Sequence, residues 1–233
     1  MAPFASKAQH TTEHTNVLWA GYSNIIHFNK KWSLVNDAQV RTKDWTKKWL
    51  LYDVRSGLNY SFNDRVSVAG GFALFRNAQY IEKQFFFKNE WRPWQELSWQ
   101  LKFHKIILLQ RLRTEQRFLQ QVVNNNKTGD YKYIFRSRYR FEWQFPLKEK
   151  AIVLSIGNEV FINPGYLSNS LFFDQNRTFC GINFKLNKTT TLQSHFLKVY
   201  QWRSSISVLE DQNIFRVNIN QQLSGRKNHG SKS

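Results

Sequence analysis

One cysteine, 4 prolines and 10 glycines are all that this chain of 233 residues holds of the types that staple, break or loosen a fold. The single Cys180 excludes an internal disulfide framework and any site built from several thiolates. So little proline and glycine argues against a disordered or fibrous chain. Long apolar runs are missing as well. The longest aliphatic stretch spans residues 106–109, far short of the roughly 18–20 residues of a membrane-crossing helix. Spanning strands stay open, because they need only about 9–11 residues, half of them polar. Acids are scarce: 16 Asp plus Glu face 34 Lys plus Arg, a formal net charge of +18. Such a balance points to an anionic partner (nucleic acid, an acidic membrane surface or an acidic ligand), provided the charges lie on a water-facing outside.

What the chain does contain is aromatic residues, 16% of the total, arranged with a period of two. In "YKYIFRSRYRFEWQF" (131–145) one set of alternate positions is Tyr131, Tyr133, Phe135, Ser137, Tyr139, Phe141, Trp143 and Phe145. The other set carries Lys132, Arg136, Arg138 and Arg140. A strand with this period has one aromatic face and one cationic face. Similar segments recur at 17–29, 32–42, 49–62, 65–76, 95–104, 106–120, 132–145, 151–163, 171–186, 189–202 and 213–223. Most exceed the length usual in soluble sheets. Short connections ("NKK", "ND", "HK", "KEK", "NK") alternate with longer ones ("KDWTKK", "NAQYIEKQFFFKNEWRPW", "VVNNNKTGD", "PGYLSNS", "SSISVLEDQ"). Antiparallel pairing then gathers the short turns at one end, the asymmetry of an outer-membrane barrel.

The predicted fold is therefore all-β: an antiparallel up-and-down transmembrane barrel of about 12 strands (10–12), since bacterial barrels have even counts. A single barrel domain is expected over 9–223, with a signal-peptide remnant at 1–8 and a disordered tail at 224–233. Ser6-Lys7-Ala8 has the small-x-small form of a cleavage site.

Three features favour polar-in, apolar-out. Asp37, Asp53, Glu96, Glu115, Glu142 and Glu159 lie among the arginines, as paired ions in a lumen should. Gly57, Ser155, Gly157 and Gly181 share the polar face, where an enclosed interior needs space. Trp19, Trp32, Trp49, Trp94, Trp143, Tyr200 and Trp202 fall near strand ends, as an interfacial girdle would.

The segments "RLRTEQRF" (111–118), "RSRYRFEW" (136–143), "GNEVFINPG" (157–165) and "FDQNRTFCGINFKL" (173–186) resemble a family of unknown function. Its members are predicted outer-membrane β-barrels, mostly of Bacteroidetes-type bacteria. The resemblance runs from about 18 to 223 and implies a barrel in the bacterial outer membrane, with no activity attached.

The expected functional feature is a lumen charge network of Arg111, Arg113, Glu115, Arg117, Arg136, Arg138, Arg140, Glu142, Glu159, Asn163 and Arg177. The network either fills the lumen as a structural ion-pair array or lines a small anion-preferring pore: on the positions assigned inward, cations exceed acids roughly two to one, which biases an open pore toward anions. Outer-membrane lipid and small anions are the expected partners, with no nucleic acid and no cofactor. Two other classes stand beside this one. A soluble basic β-protein would track nucleic-acid phosphates with its arginine faces. An outer-membrane lipid hydrolase would need a serine activated by His27, His104 or His195, of which His195 is the best placed. His10 and His14 have metal-compatible spacing in the terminal segment, but no metal site is expected.

Overall fold

Side-chain character that alternates over ten residues and more builds strands along the whole chain. The computed structural model describes residues 11–81, 84–147, 151–166, 172–203 and 208–224. The expected leader remnant at 1–8, the tail beyond 224 and the "KEK" connection lie outside them. The first four strands are β1 (Thr11–His27), β2 (Trp32–Lys43), β3 (Lys48–Ser61) and β4 (Val66–Ile81). The three longest follow: β5 (Gln84–Phe103), β6 (Ile106–Val123) and β7 (Asn126–Leu147). After these come β8 (Ile152–Ile162), β9 (Phe173–Lys185), β10 (Thr190–Arg203) and β11 (Val208–Ser224). A short 3-10 turn, Pro164–Tyr166, follows β8.

Sequence neighbours pair antiparallel, and β1 pairs with β11 in parallel from Thr11↔Val208 to His27↔Ser224. The sheet is thus a closed barrel of 11 strands among the described residues. The twelfth strand expected from the even-number rule is not among them. An odd count leaves the first and last strands pointing the same way. A full parallel ladder, with its evenly spaced slanted bonds, then closes the ring.

Three short turns share one device. Asn29 Oδ1 accepts from the N–H groups of Lys31 and Trp32, at 2.8 and 2.9 Å. Asn63 does the same for Arg65 and Val66, and Asn187 for Thr189 and Thr190. The side-chain oxygen replaces a backbone acceptor in each turn, which is why asparagine recurs there.

At the opposite end the structure corrects the expected long loops. "NAQYIEKQFFFKNEWRPW" continues the ladder of β4 and β5 to Ile81↔Gln84. "VVNNNKTGD" folds into a tight turn with Asn124 and Asn125 at φ of 50° and 63°, flanked by paired strand. Both stretches keep the alternation of strands, and Phe85 packs between Tyr80, tilted at 4.9 Å, and Phe87, edge-on at 5.1 Å between ring centroids. Pro93 is accommodated locally. Arg92 and Pro93 drop out of the β5–β6 ladder between Trp91↔Phe118 and Trp94↔Glu115, and the register is unchanged.

The two faces of the sheet separate as the alternation requires. Phe72, Trp91, Tyr139, Phe141 and Phe215 stand exposed on the outside, Phe72 at 69%. Glu115, Arg138 and Glu159 are buried inside. Two of the expected girdle residues are corrected: Trp19 and Trp94 point inward, at 5% and 2% exposure, whereas Trp32 and Trp49 are outside. Each inward tryptophan anchors an apolar cluster. Trp19 packs with Val17, Phe179, Leu197, Val199 and Ile214, and Trp94 with Ala73 and Phe75. Gly57 makes room for the second, since a Cβ there would lie 2.5 Å from Trp94 Cζ2.

The parallel closure is testable by cross-linking. Ala20 faces Val217 across it and Val40 on its other side. In a Cys180→Ser background, a short bifunctional thiol reagent should link Ala20→Cys to Val217→Cys as readily as to Val40→Cys. Linkage to Val40→Cys alone would show that another strand stands between β1 and β11.

Candidate functional site

Strands β5 to β8 turn acids and arginines inward at alternate positions, so the registers set opposite charges side by side. Glu115 opposes Arg136 across β6 and β7, and Arg140 opposes Glu159 across β7 and β8. One Glu115 oxygen accepts from Arg138 Nη1 at 2.6 Å, and the other from Arg136, whose Nε lies at 3.0 Å. Glu159 Oε1 accepts from Arg111 Nη2 at 2.7 Å and from Arg138 Nη2 at 2.8 Å. Arg138 therefore bridges the two glutamates. Arg136 also donates to Asp174 at 3.0 Å.

A second tier flanks this centre. Glu90 Oε1 accepts from the Nε atoms of Arg92 and Arg117, both at 2.6 Å. Glu96 accepts from Arg113 Nε at 2.6 Å and approaches Arg111 Nε at 3.6 Å. Arg140 pairs with Glu142, and Arg55 with Asp37 at 3.1 Å. Charges this deeply buried persist only when opposite charges and hydrogen bonds surround them.

The structure brings Arg111, Arg113, Glu115, Arg117, Arg136, Arg138, Arg140, Glu142 and Glu159 together in this interior array. Arg177 stands beside it and approaches Glu159 only at 4.0 Å. Asn163 is buried just beyond β8, where its N–H donates to Phe172 O at 2.8 Å. Glu90, Arg92, Asp174, Arg41 and Arg216 were not in the expected set. Glu90 and Arg92 did carry a signal, since "NEWRPW" alternates Glu90, Arg92 and Trp94 on one face. Glu90, Asp174 and Glu210 join the expected acids inside, so the interior is closer to charge balance than the inward-position count implies.

Guanidinium stacking is the feature that periodicity hid. Arg92 lies over Phe75 at 3.5 Å from the ring centroid, and Arg41 over Trp19 at 3.7 Å. Arg138 and Arg177 cover Phe161 at 4.5 and 4.4 Å, and Arg140 covers Phe179 at 4.4 Å. These contacts let weakly hydrated guanidinium groups lie against apolar interior surface.

The remaining space is split in two. A central cavity of about 410 Å³ is lined mainly by arginines and glutamines, and one of about 740 Å³ opens toward the short turns. Arg111, Arg140 and Asn220 line both, which makes them the partition between the chambers.

His195, the best-placed candidate for a hydrolase, is buried on β10. Its Nδ1 lies 2.6 Å from Arg216 Nη2 and its Nε2 lies 2.9 Å from Asn183 Oδ1. Arginine can only donate, so Nδ1 is the acceptor and Nε2–H donates to Asn183. Ser155 bonds Asn183 rather than the imidazole. Both ring nitrogens are thus engaged, and neither is directed at a serine. His14 lies 3.1 Å from Asp211, and its expected companion His10 is outside the described residues. No group of three metal-ligating side chains occurs among the described residues.

Removing one partner of a buried pair strands the other charge. Glu115→Ala and Glu159→Ala should each destabilise the folded barrel by about 3–5 kcal/mol, against about 0.5 kcal/mol or less for the exposed Asp130→Ala. Chemical denaturation of the detergent-folded protein measures this. Equal, small losses for all three would place the glutamates in solvent.

Comparison with known proteins agrees with this architecture. No curated protein matches the sequence. Among solved structures, the fold is similar to that of the NanC porin in its rhombohedral crystal form. The TM-score is 0.51 at 12% identity, and the match covers 89% of this chain and 99% of that one. At that identity the likeness is one of fold alone. Residues 16–210 match the model of a family described as "Protein of unknown function (DUF2490)". The chain belongs to that family, a set of proteins of unknown function to which this one contributes a porin-like closed barrel.

Proposed function

We propose that this protein is an outer-membrane barrel whose outer face meets lipid and whose arginine-lined interior conducts small anions. The observation that carries the proposal is the inversion of the two faces. Exposed Phe72, Trp91, Leu112, Phe118, Tyr139, Phe141, Ile156 and Phe215 encircle paired ions buried inside. That much contiguous apolar surface is costly in water and suits a hydrocarbon surround. Aromatic rows near both strand ends fit the two interfaces: Trp32, Tyr60 and Phe62 stack at the short-turn end, and Tyr52, Phe87, Phe85 and Tyr80 at the other. The resemblance noted in the sequence supports reading it as a barrel of a Bacteroidetes-type outer membrane.

A nucleic-acid-binding protein would need arginines outside, where β6 and β7 instead present Leu112, Phe118, Tyr139 and Phe141. The partition residues Arg111 and Arg140 stand where the chambers meet, so a permeating ion passes two cations held in place by Glu159 and Glu142. Arginines outnumber acids along the lining of the central cavity, and such a surplus of positive charge favours anions.

In a planar bilayer the barrel should show a small conductance that prefers chloride over potassium. Arg111→Gln combined with Arg140→Gln should reduce that preference. A potassium-selective conductance, or none at all, would contradict the proposal.

A further inference from the structure

Most interior arginines have a carboxylate within about 3 Å. Three do not. Arg41 on β2 and Arg216 on β11 form no ion pair within 4.0 Å among the described residues, and Arg177 on β9 reaches Glu159 only at that limit. All three come to the same place. Their guanidinium groups lie 3.7, 5.2 and 5.7 Å from the Trp19 ring centroid, for Arg41, Arg216 and Arg177 respectively. All line the central cavity, and the Nε of each is buried without a hydrogen-bond partner, while one Nη of each donates to a neutral side chain, Gln39, His195 and Gln175 for Arg41, Arg216 and Arg177 in turn.

The acids around that cavity are already engaged. Asp37 holds Arg55, Glu159 holds Arg111 and Arg138, and Glu210 accepts from Gln212 at 2.9 Å. Asp53 sits diagonally from Arg41 on β3, 1% exposed and outside the cavity wall, with neither oxygen hydrogen-bonded. One wall of the lumen therefore gathers three converging cations that have no close carboxylate partner, the buried Asp53 acting on Arg41 only through space.

We propose that the Trp19 wall is a binding site for the oxyanion group, carboxylate or phosphate, of a small solute. Guanidinium groups present paired N–H donors in the geometry that such oxygens accept, and three of them around one point give charge and direction together. Leu50, Phe179, Leu197 and Ile214 line the same cavity and offer apolar contact to the body of the solute. A volume of about 410 Å³ lies within the range of small-ligand pockets, so the solute is compact rather than polymeric. This site rests on the proposed hydrated lumen but not on permeation through it.

The test uses the full chain folded in detergent and labelled with 5-fluorotryptophan, the Trp19 resonance being assigned through Trp19→Phe. Titration with sodium succinate and with inorganic phosphate, at constant ionic strength in chloride, should shift that resonance saturably. Whichever of the two saturates at lower concentration identifies the preferred oxyanion. Arg41→Gln with Arg216→Gln should weaken the response by about tenfold or more, as loss of charge-assisted hydrogen bonds requires. If that variant does not fold, Arg41→Lys, which keeps the charge but not the fork, should still weaken it several-fold. A linear drift equal to that in chloride, or a response untouched by these substitutions, would overturn the site. Saturable binding without bilayer conductance would refute the pore and leave the site standing. Conductance without binding would do the reverse.

Discussion

Two glutamates that share Arg138 set the terms for the rest of the barrel. Glu115 and Glu159 are 1% and 3% exposed, and each is tied to at least two guanidinium groups. Such charges are tolerable only in an interior where partners arrive from neighbouring strands in fixed register. The register does this: Glu115 meets Arg136, and Arg140 meets Glu159, as direct cross-strand pairs. A slip of one residue would turn the acids outward and Leu112 or Tyr139 inward. Once the acids and arginines face in, the period of two forces the aromatic face out around the whole ring. The arrangement of polar face in and apolar face out is thus a consequence of where the ion pairs can be satisfied.

Charge compensation is uneven around the barrel. On β5 to β8 every interior arginine has a carboxylate partner, and the side chains form a connected tier. Around β1, Arg41 of β2, Arg177 of β9 and Arg216 of β11 gather on Trp19, and Arg177 also covers Phe161, with few close carboxylates. Aromatic rings thus replace carboxylates as partners on that side, giving weaker stabilisation and leaving the cations available. The same chain builds one wall of ion pairs and another of guanidinium groups stacked on rings.

Much of this was legible in the sequence, for a local reason. The alternation in 106–120, 131–145 and 151–163 assigns inside and outside residue by residue, and nine interior residues of the array on β6, β7 and β8 follow from it. Closure was not legible, because whether the ends of the sheet meet in parallel is decided by the whole ring and by no short segment. The tall hairpins were missed because Pro93, Asn124 and Asn125 read as loop residues, although Pro93 costs only a local gap in one ladder. Trp19 and Trp94 read as girdle residues because tryptophan near a strand end is ambiguous. Their inward placement depends on Arg41 and Arg113, which reach them from adjacent strands. Stacking pairs distant in sequence leave no periodic trace.

The central claim is that one face of each strand meets lipid and the other enclosed water. Strand β7 tests it most directly, with single spin labels placed at successive positions from 135 to 143 in the protein reconstituted in lipid vesicles. Collision with oxygen, which concentrates in lipid, should peak at 135, 139 and 141. Collision with a water-soluble nickel chelate should be higher at 136, 138 and 140. Uniform access of the nickel chelate to both sets would contradict the account.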